Sequence, residues 1–275
     1  MIFRQLTHDD LGCASYLIGD EDAGIVAVVD PKLEIDEYLA LARYMGVRIE
    51  HVLETHNHAD HISGDGRLAA ATGATIHIHR LAEPDYEHEP FDDGWELRLG
   101  DVTVRALHTP GHRPKHTAFA LIDNARGPDP WAVLSGDTLF VGDIARPDLA
   151  VEKREGASGI FHSLHDKLLV LPGECEVWPG HLGGSLCGGP GMDMKGGRVA
   201  AGPPCGTPCS LAITTPPVAL PWPSTSVRSA RAAADRSLAQ RASRSAAGGR
   251  RDRRISPDQD PPPTRSRSRD ASWLR

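Results

Sequence analysis

No stretch of the 275-residue sequence approaches the about eighteen consecutive apolar residues that a membrane-spanning helix needs. The first ten residues, Met1 to Asp10, also show no basic start followed by an apolar run. Both absences lead to the expectation of a soluble, cytoplasmic protein with no membrane partner. Cysteine is scarce as well: Cys13, Cys175, Cys187, Cys205 and Cys209 are scattered and odd in number. That pattern excludes a fully paired disulfide framework and fits a reducing compartment. From residue 198 onward there is no Lys, Glu, His, Phe, Tyr, Asn or Met. What remains there is mainly Ala, Arg, Ser, Pro and Gly, too poor in large apolar side chains to offset the entropy of ordering a chain.

These absences divide the sequence into a folded part over 1–195 and a low-complexity tail over 196–275, expected to be disordered. Residues 198–275 carry 14 Arg against 5 Asp, although the whole chain has a formal net charge of -7. The first part is therefore strongly acidic, a poor surface for nucleic acid and an ordinary one for a soluble enzyme. Two other readings of the tail are a basic arm for nucleic acid and the product of a GC-rich gene translated in a shifted frame. The length permits one large domain or two small ones, with enough buried core to need no disulfide staples.

Up to Lys195 the pattern is that of an alternating α/β protein. Short apolar runs over 15–18, 24–29 and 49–53 read as strands, and further strands are predicted over 75–78, 95–99, 101–107, 116–122, 131–135 and 175–178. Ile35, Leu39, Ala42 and Met45 recur at helical spacing, predicting a helix over 34–45. Two more helices are predicted over 64–72 and 157–169, the latter from the face made by Ile160, Leu164, Leu168 and Leu169.

The strongest chemical signal is Thr55-His56-Asn57-His58-Ala59-Asp60-His61, between a predicted strand and a predicted helix. Neutral imidazole and carboxylate are preferred ligands of zinc and iron. One histidine in a polar loop would be an ordinary solvated residue; four potential ligands so close together are not explained that way. Three more polar groups follow predicted strands: His112 in Thr109-Pro110-Gly111-His112, Asp137 in Ser135-Gly136-Asp137, and His181 in Pro179-Gly180-His181. Strand ends at one sheet edge gather distant residues, and a neighbouring Gly lets the backbone turn sharply. Together these groups make a metal site of five histidines and two aspartates.

In this order the HxHxDH, TPGH, SGD and PGH motifs resemble the metallo-β-lactamase superfamily over about residues 1–195. The resemblance implies an α/β fold, a four-layer αββα metallo-β-lactamase sandwich of two similar halves followed here by the disordered tail, with metal at the shared edge of the two sheets. Two enzyme classes share the ligand set. Resemblance to glyoxalase II implies two Zn(II) per chain, one on His56, His58 and His112, the other on Asp60, His61 and His181, bridged by Asp137; water between them would hydrolyse a hydroxyacylglutathione thioester. Resemblance to the persulfide dioxygenases implies one Fe(II) per chain on His56, His112 and Asp137, with Asp60 and His61 orienting ligands or water. Its substrates would be glutathione persulfide and dioxygen, its products sulfite and glutathione.

The segments 12–20, 136–149 and 179–194 are similar to the bacterial dioxygenases fused to a rhodanese domain, which favours the dioxygenase over the hydrolase. Within that reading Arg146 would grip a glutathione carboxylate through its planar fork, although an Arg paired with Asp148 or Asp143 is the plainer alternative. His116 is expected to be a satisfied polar residue rather than a pocket lining, and Cys187 to be structural. Ala145 departs from the usual Gly of the pattern. The tail resembles neither the helical segment nor the sulfurtransferase domains that follow in the fused group, so no sulfurtransferase activity is expected. An inactive, truncated metal-binding protein stays open, as does a homodimer. The Asp60 and Asp137 pattern speaks against β-lactam hydrolysis, and the acidic first part against a nuclease.

Overall fold

The computed structural model describes residues 1–8, 12–148, 153–182 and the backbone of 197–198. The expected tail, Cys187 and the segment 183–194 lie otherwise outside the described residues. Two six-stranded sheets carry the fold. The first runs in the order β1 (Ile2–His8), β2 (Cys13–Asp20), β3 (Ile25–Val29), β4 (Arg48–Leu53), β5 (Thr75–His79) and β6 (Glu89–Phe91). In spatial order the second is β12 (Gly197–Arg198), β11 (Glu176–Pro179), β10 (Ala132–Gly136), β9 (Thr117–Asp123), β8 (Val102–His108) and β7 (Glu96–Leu99). Each begins as an antiparallel meander and then takes a parallel partner: β4 beside β3 after helix α1 (Asp36–Met45), and β11 beside β10 after helix α3 (Lys153–His162).

Alternation along the strands builds the layers. On β3, Ala27 and Val29 point to a core shared with Val104, Phe119, Leu121 and Leu134 of the second sheet. Val26 and Val28 point the other way, against Tyr38 and Ala42 of α1 and Leu68 of α2 (Asp65–Thr72). The outer face of the second sheet, with Ala118, Val133 and Val177, packs on Ile160, Leu164 and Leu168. Three apolar interfaces thus separate four layers in the order α, β, β, α, as the motifs implied. Because β2, β9 and β10 are covered on both faces, every residue of each is buried and their centres read as apolar runs instead of alternating.

Most predicted elements fall within two residues of the observed ones; the exceptions have physical causes. Strands β1, β6 and β12 were not anticipated. β1 is an edge strand interrupted by Arg4 and Gln5, and β6 and β12 are too short to show a period. The helix expected over 157–169 starts at Lys153 and widens into a π-helical turn over Ser163–Leu168. Its first turn, Lys153-Arg154-Glu155-Gly156, presents no apolar side chain, so periodicity could not reveal it. Gly156 is buried there by close approach: a Cβ on it would lie 2.0 Å from the Pro147 carbonyl oxygen. Gly159, one turn on, brings the α3 backbone against Gly111, beside His112. Gly156→Ala should therefore destabilise the fold by about 1–3 kcal/mol, as overpacking against fixed backbone does. Urea unfolding checks this, and an unchanged midpoint would remove the close contact from the account.

Candidate metal centre

All seven predicted ligands lie at one edge of the two sheets. His56, His58, Asp60 and His61 follow β4, His112 follows β8, Asp137 follows β10 and His181 follows β11. Each of those four strands ends at this edge, so the parallel pairs β3–β4 and β10–β11 aim their exits at one place.

Within the edge the ligands sort into groups. His56, His112 and Asp137 are buried and bring one ligand atom each to a common point. Asp137 Oδ2 is 3.7 Å from His56 Nε2 and 3.4 Å from His112 Nε2, is shielded from solvent and has no hydrogen-bond partner. Burial pulls both imidazoles below the usual histidine range, that of His56 strongly, so they face Asp137 as neutral ligands. A bare buried carboxylate oxygen opposite two neutral imidazole nitrogens is an arrangement that a divalent cation completes.

Further residues set this geometry. Asp30, at the end of β3, accepts hydrogen bonds from the Thr55 N–H and hydroxyl, both at 2.7 Å. With its hydroxyl proton so engaged, Thr55 Oγ1 accepts from His56 Nδ1 at 2.9 Å, which fixes the tautomer and leaves the Nε2 lone pair for the common point. Asp30 holds this position with a φ of 48°, a left-handed conformation that few residues other than Gly, Asn and Asp adopt. On the other flank, fully buried His116 accepts the Asp137 N–H at Nε2, 2.9 Å away. Its Nδ1 then carries the proton, shared between Thr109 Oγ1 at 2.8 Å and Thr138 Oγ1 at 3.0 Å. Gly136 has a φ of +49°, and a Cβ there would lie 2.5 Å from His116 Nε2, so only glycine admits this ring beneath the Asp137 backbone. His116 is the satisfied polar residue that was expected, with a positioning role that was not.

The remaining ligands engage one another. Asp137 Oδ1 and Asp60 Oδ2 each lie 2.6 Å from a different nitrogen of His181. Burial disfavours a charge on that ring, but the two carboxylates outweigh it and hold the His181 pKa far above the usual range. Both carboxyls, although burial raises them, are held well below theirs, His181 being the main opposing partner. His61 Nδ1 lies 3.3 Å from Asp60 Oδ1. His58 turns its Nε2 toward Asp30 and Glu54, 3.3 Å from an oxygen of each. Cys13, at the start of β2, places Sγ 3.3 Å from His181 Nε2. Arg146 is half-exposed and its fork rests on Asp148, at 2.7 and 3.2 Å.

Sequence reasoning missed Asp30, Glu54 and Cys13 as members of the site. Asp30 carried the same signal as the recognised ligands, a polar residue directly after an apolar strand; Cys13 opens its strand, which runs antiparallel to its neighbours, and so showed no such signal.

His116 also yields a pH dependence. Burial holds it down at about 3 in the folded protein, against a pull upward from Asp137, whereas the unfolded ring titrates at about 6.5. Between those values the unfolded chain binds more protons, so this residue costs stability as pH falls. His116→Gln, whose amide oxygen can still accept the Asp137 N–H, should flatten that fall by up to about 1.4 kcal/mol per pH unit. Urea titrations of the metal-free protein between about pH 4.5 and 6.5 read this; equal slopes in both proteins would contradict it.

The family model described as Metallo-beta-lactamase superfamily matches residues 8–181. Mitochondrial persulfide dioxygenase ETHE1 of Homo sapiens is 32% identical over 186 residues, a match covering 66% of this chain and 68% of the human protein. The hydroxyacylglutathione hydrolase of Methylococcus capsulatus is 36% identical over 172 residues, covering 60% of each chain. The crystal structure of ETHE1 from Myxococcus xanthus aligns with a TM-score of 0.60 at 32% identity, over 69% of this chain and 79% of that one. Among the described residues no helix is long and apolar enough to cross a membrane.

Proposed function

The chain belongs to the Metallo-beta-lactamase superfamily, and from that premise we propose that it is a cytoplasmic persulfide dioxygenase, which converts glutathione persulfide, dioxygen and water to glutathione and sulfite. His56, His112 and Asp137 would hold one Fe(II). Bound there, Fe(II) would supply the redox chemistry and leave open positions where dioxygen and the substrate sulfur meet. The observation that carries this reading is the one bare oxygen at the common point of the triad, Asp137 Oδ2, the other oxygen of that carboxylate being taken by His181. Asp137 Oδ2 is buried and bare before two neutral imidazoles, whereas Asp60, His61 and His181 are taken up with one another and His58 is turned to Asp30 and Glu54.

The protein's own groups have distinct tasks in this scheme. Thr55 and Asp30 keep the His56 lone pair pointed at the common point, and His116 keeps Asp137 from turning away. Asp60 and His181 form a charged, hydrogen-bonded wall on one side, able to orient the water that the reaction consumes. Arg146 would grip a carboxylate of the glutathione moiety. Its present partner, Asp148, sits in solvent, where an ion pair is screened and readily exchanged for a ligand carboxylate.

A second reading, a dinuclear zinc hydroxyacylglutathione hydrolase, is favoured by the 36% identity to the Methylococcus capsulatus enzyme. Elemental analysis and oxygen uptake separate the two. About one iron per chain with oxygen consumption dependent on glutathione persulfide supports the dioxygenase; close to two zincs, no oxygen uptake and thioester hydrolysis support the hydrolase. On the first reading His112→Ala abolishes iron binding and activity while His181→Ala retains bound iron. Equal loss of metal in both variants would argue for the dinuclear centre. Arg146→Ala should raise KM for glutathione persulfide with little change in kcat, and an unchanged KM would take Arg146 out of substrate binding.

A further inference from the structure

Arg113 directly follows the ligand His112, and it is a cation that the fold leaves without a partner. Its carbonyl closes the turn, accepting from the Gly111 N–H at 3.2 Å and the His116 N–H at 3.3 Å, so the backbone sets where the residue stands. Its half-buried side chain makes no hydrogen bond and no ion pair with any described residue, and Nε is closed off from solvent with no acceptor. Neighbouring cations are engaged: Lys115 Nζ donates to the Ala82 carbonyl at 3.1 Å, and Arg146 rests on Asp148. Leaving a buried N–H without an acceptor destabilises a fold, so stability does not explain this guanidinium. Pro110, Gly111 and Pro114 line a groove beside α3, of which neither His112 nor Arg113 is part. Burial is the main reason the His112 ring is held down, and the Arg113 charge adds to it ahead of that of His181, which puts the guanidinium near the triad.

We infer that Arg113 is a specificity residue: its guanidinium grips a carboxylate of the thiol carrier as a bidentate pair, beside the metal point and separately from Arg146. This rests on the reading that the carrier is glutathione, which the dioxygenase and the hydrolase have in common. Glutathione has two carboxylates, one on each arm, with the sulfur between them. With that sulfur at the common point of the triad, two arginines are at hand for two carboxylates. A carboxylate laid against the side of the Arg113 fork takes Nε–H together with one Nη–H, and so supplies the acceptor that Nε lacks. Arg146 already shows this geometry with Asp148, at 2.7 Å from Nε and 3.2 Å from Nη2. A carrier with a single carboxylate would leave one of the two arginines bare, so the pair selects for the doubly acidic tripeptide.

Calorimetry of glutathione binding to the metal-loaded full chain, under anaerobic conditions, tests this without reference to turnover. Arg113→Met keeps the aliphatic stem and removes the guanidinium. It should weaken glutathione at least about tenfold, as loss of a charge-assisted pair does, while the urea midpoint stays unchanged or rises. Two trimmed ligands identify the partner: glutathione monoethyl ester, blocked at the glycine carboxylate, and cysteinylglycine, which lacks the γ-glutamyl carboxylate. The one without the carboxylate that Arg113 holds should bind wild type and variant alike. Equal affinity for glutathione in both proteins, the same loss for all three ligands, or a lowered urea midpoint, the sign of a structural role, overturns the assignment. If oxygen uptake fails while these binding differences hold, the dioxygenase reading falls and Arg113 keeps its role.

Discussion

Asp137 is a carboxylate with 1% of its surface exposed, and the rest of the centre is arranged around keeping it charged in that position. An isolated carboxylate so placed would cost several kcal/mol after relaxation and would take up a proton instead. Here one oxygen is held by a His181 ring that itself lies between two carboxylates, while the other stays bare before the neutral His56 and His112 rings, a cost that a bound cation would remove. The backbone beneath is held by His116, whose proton is committed to two threonines. Gly136 and its left-handed turn are the steric condition for that ring to fit. Ligand direction, tautomer and charge at the site thus follow from how one buried anion is accommodated.

The layers were legible because burial on two faces leaves a plain mark. β3 and β9 are apolar runs bounded by turn residues, and α1 shows its buried stripe before ending at Gly46 with a φ of 70°. Where the chain is held by small size instead of apolar side chains, the mark is missing. The first turn of α3 is fixed by what Gly156 lacks, and hydrophobic periodicity is blind to such contacts. The π-helical turn over Ser163–Leu168 is a departure that the spacing of Leu164 and Leu168 does not distinguish from an ordinary helix.

The site was legible to the extent that ligands follow strands in sequence. His56, His112, Asp137 and His181 were recognised because each sits directly after an apolar run, beside a glycine or within a dense histidine cluster. The residues that orient them were not, because their roles depend on long-range contact. Asp30 meets Thr55 only because β3 and β4 lie side by side, and Cys13 meets His181 only because the start of β2 bridges to the residues that follow β11. A thiol at the start of a strand looks the same whether it packs in a core or touches an imidazole; pairing decides which.

The triad draws His56 from the exit of the first sheet and His112 and Asp137 from exits of the second. Any cation held there is a non-covalent cross-link between the two central layers, joining segments far apart in the chain. Such a link binds the folded state alone, so free metal at about a hundred times its dissociation constant adds about 2.7 kcal/mol to stability. The abundance of the intact protein in a cell is then tied to the supply of its metal, and scarcity of the ion would be felt first as faster proteolytic turnover of the chain.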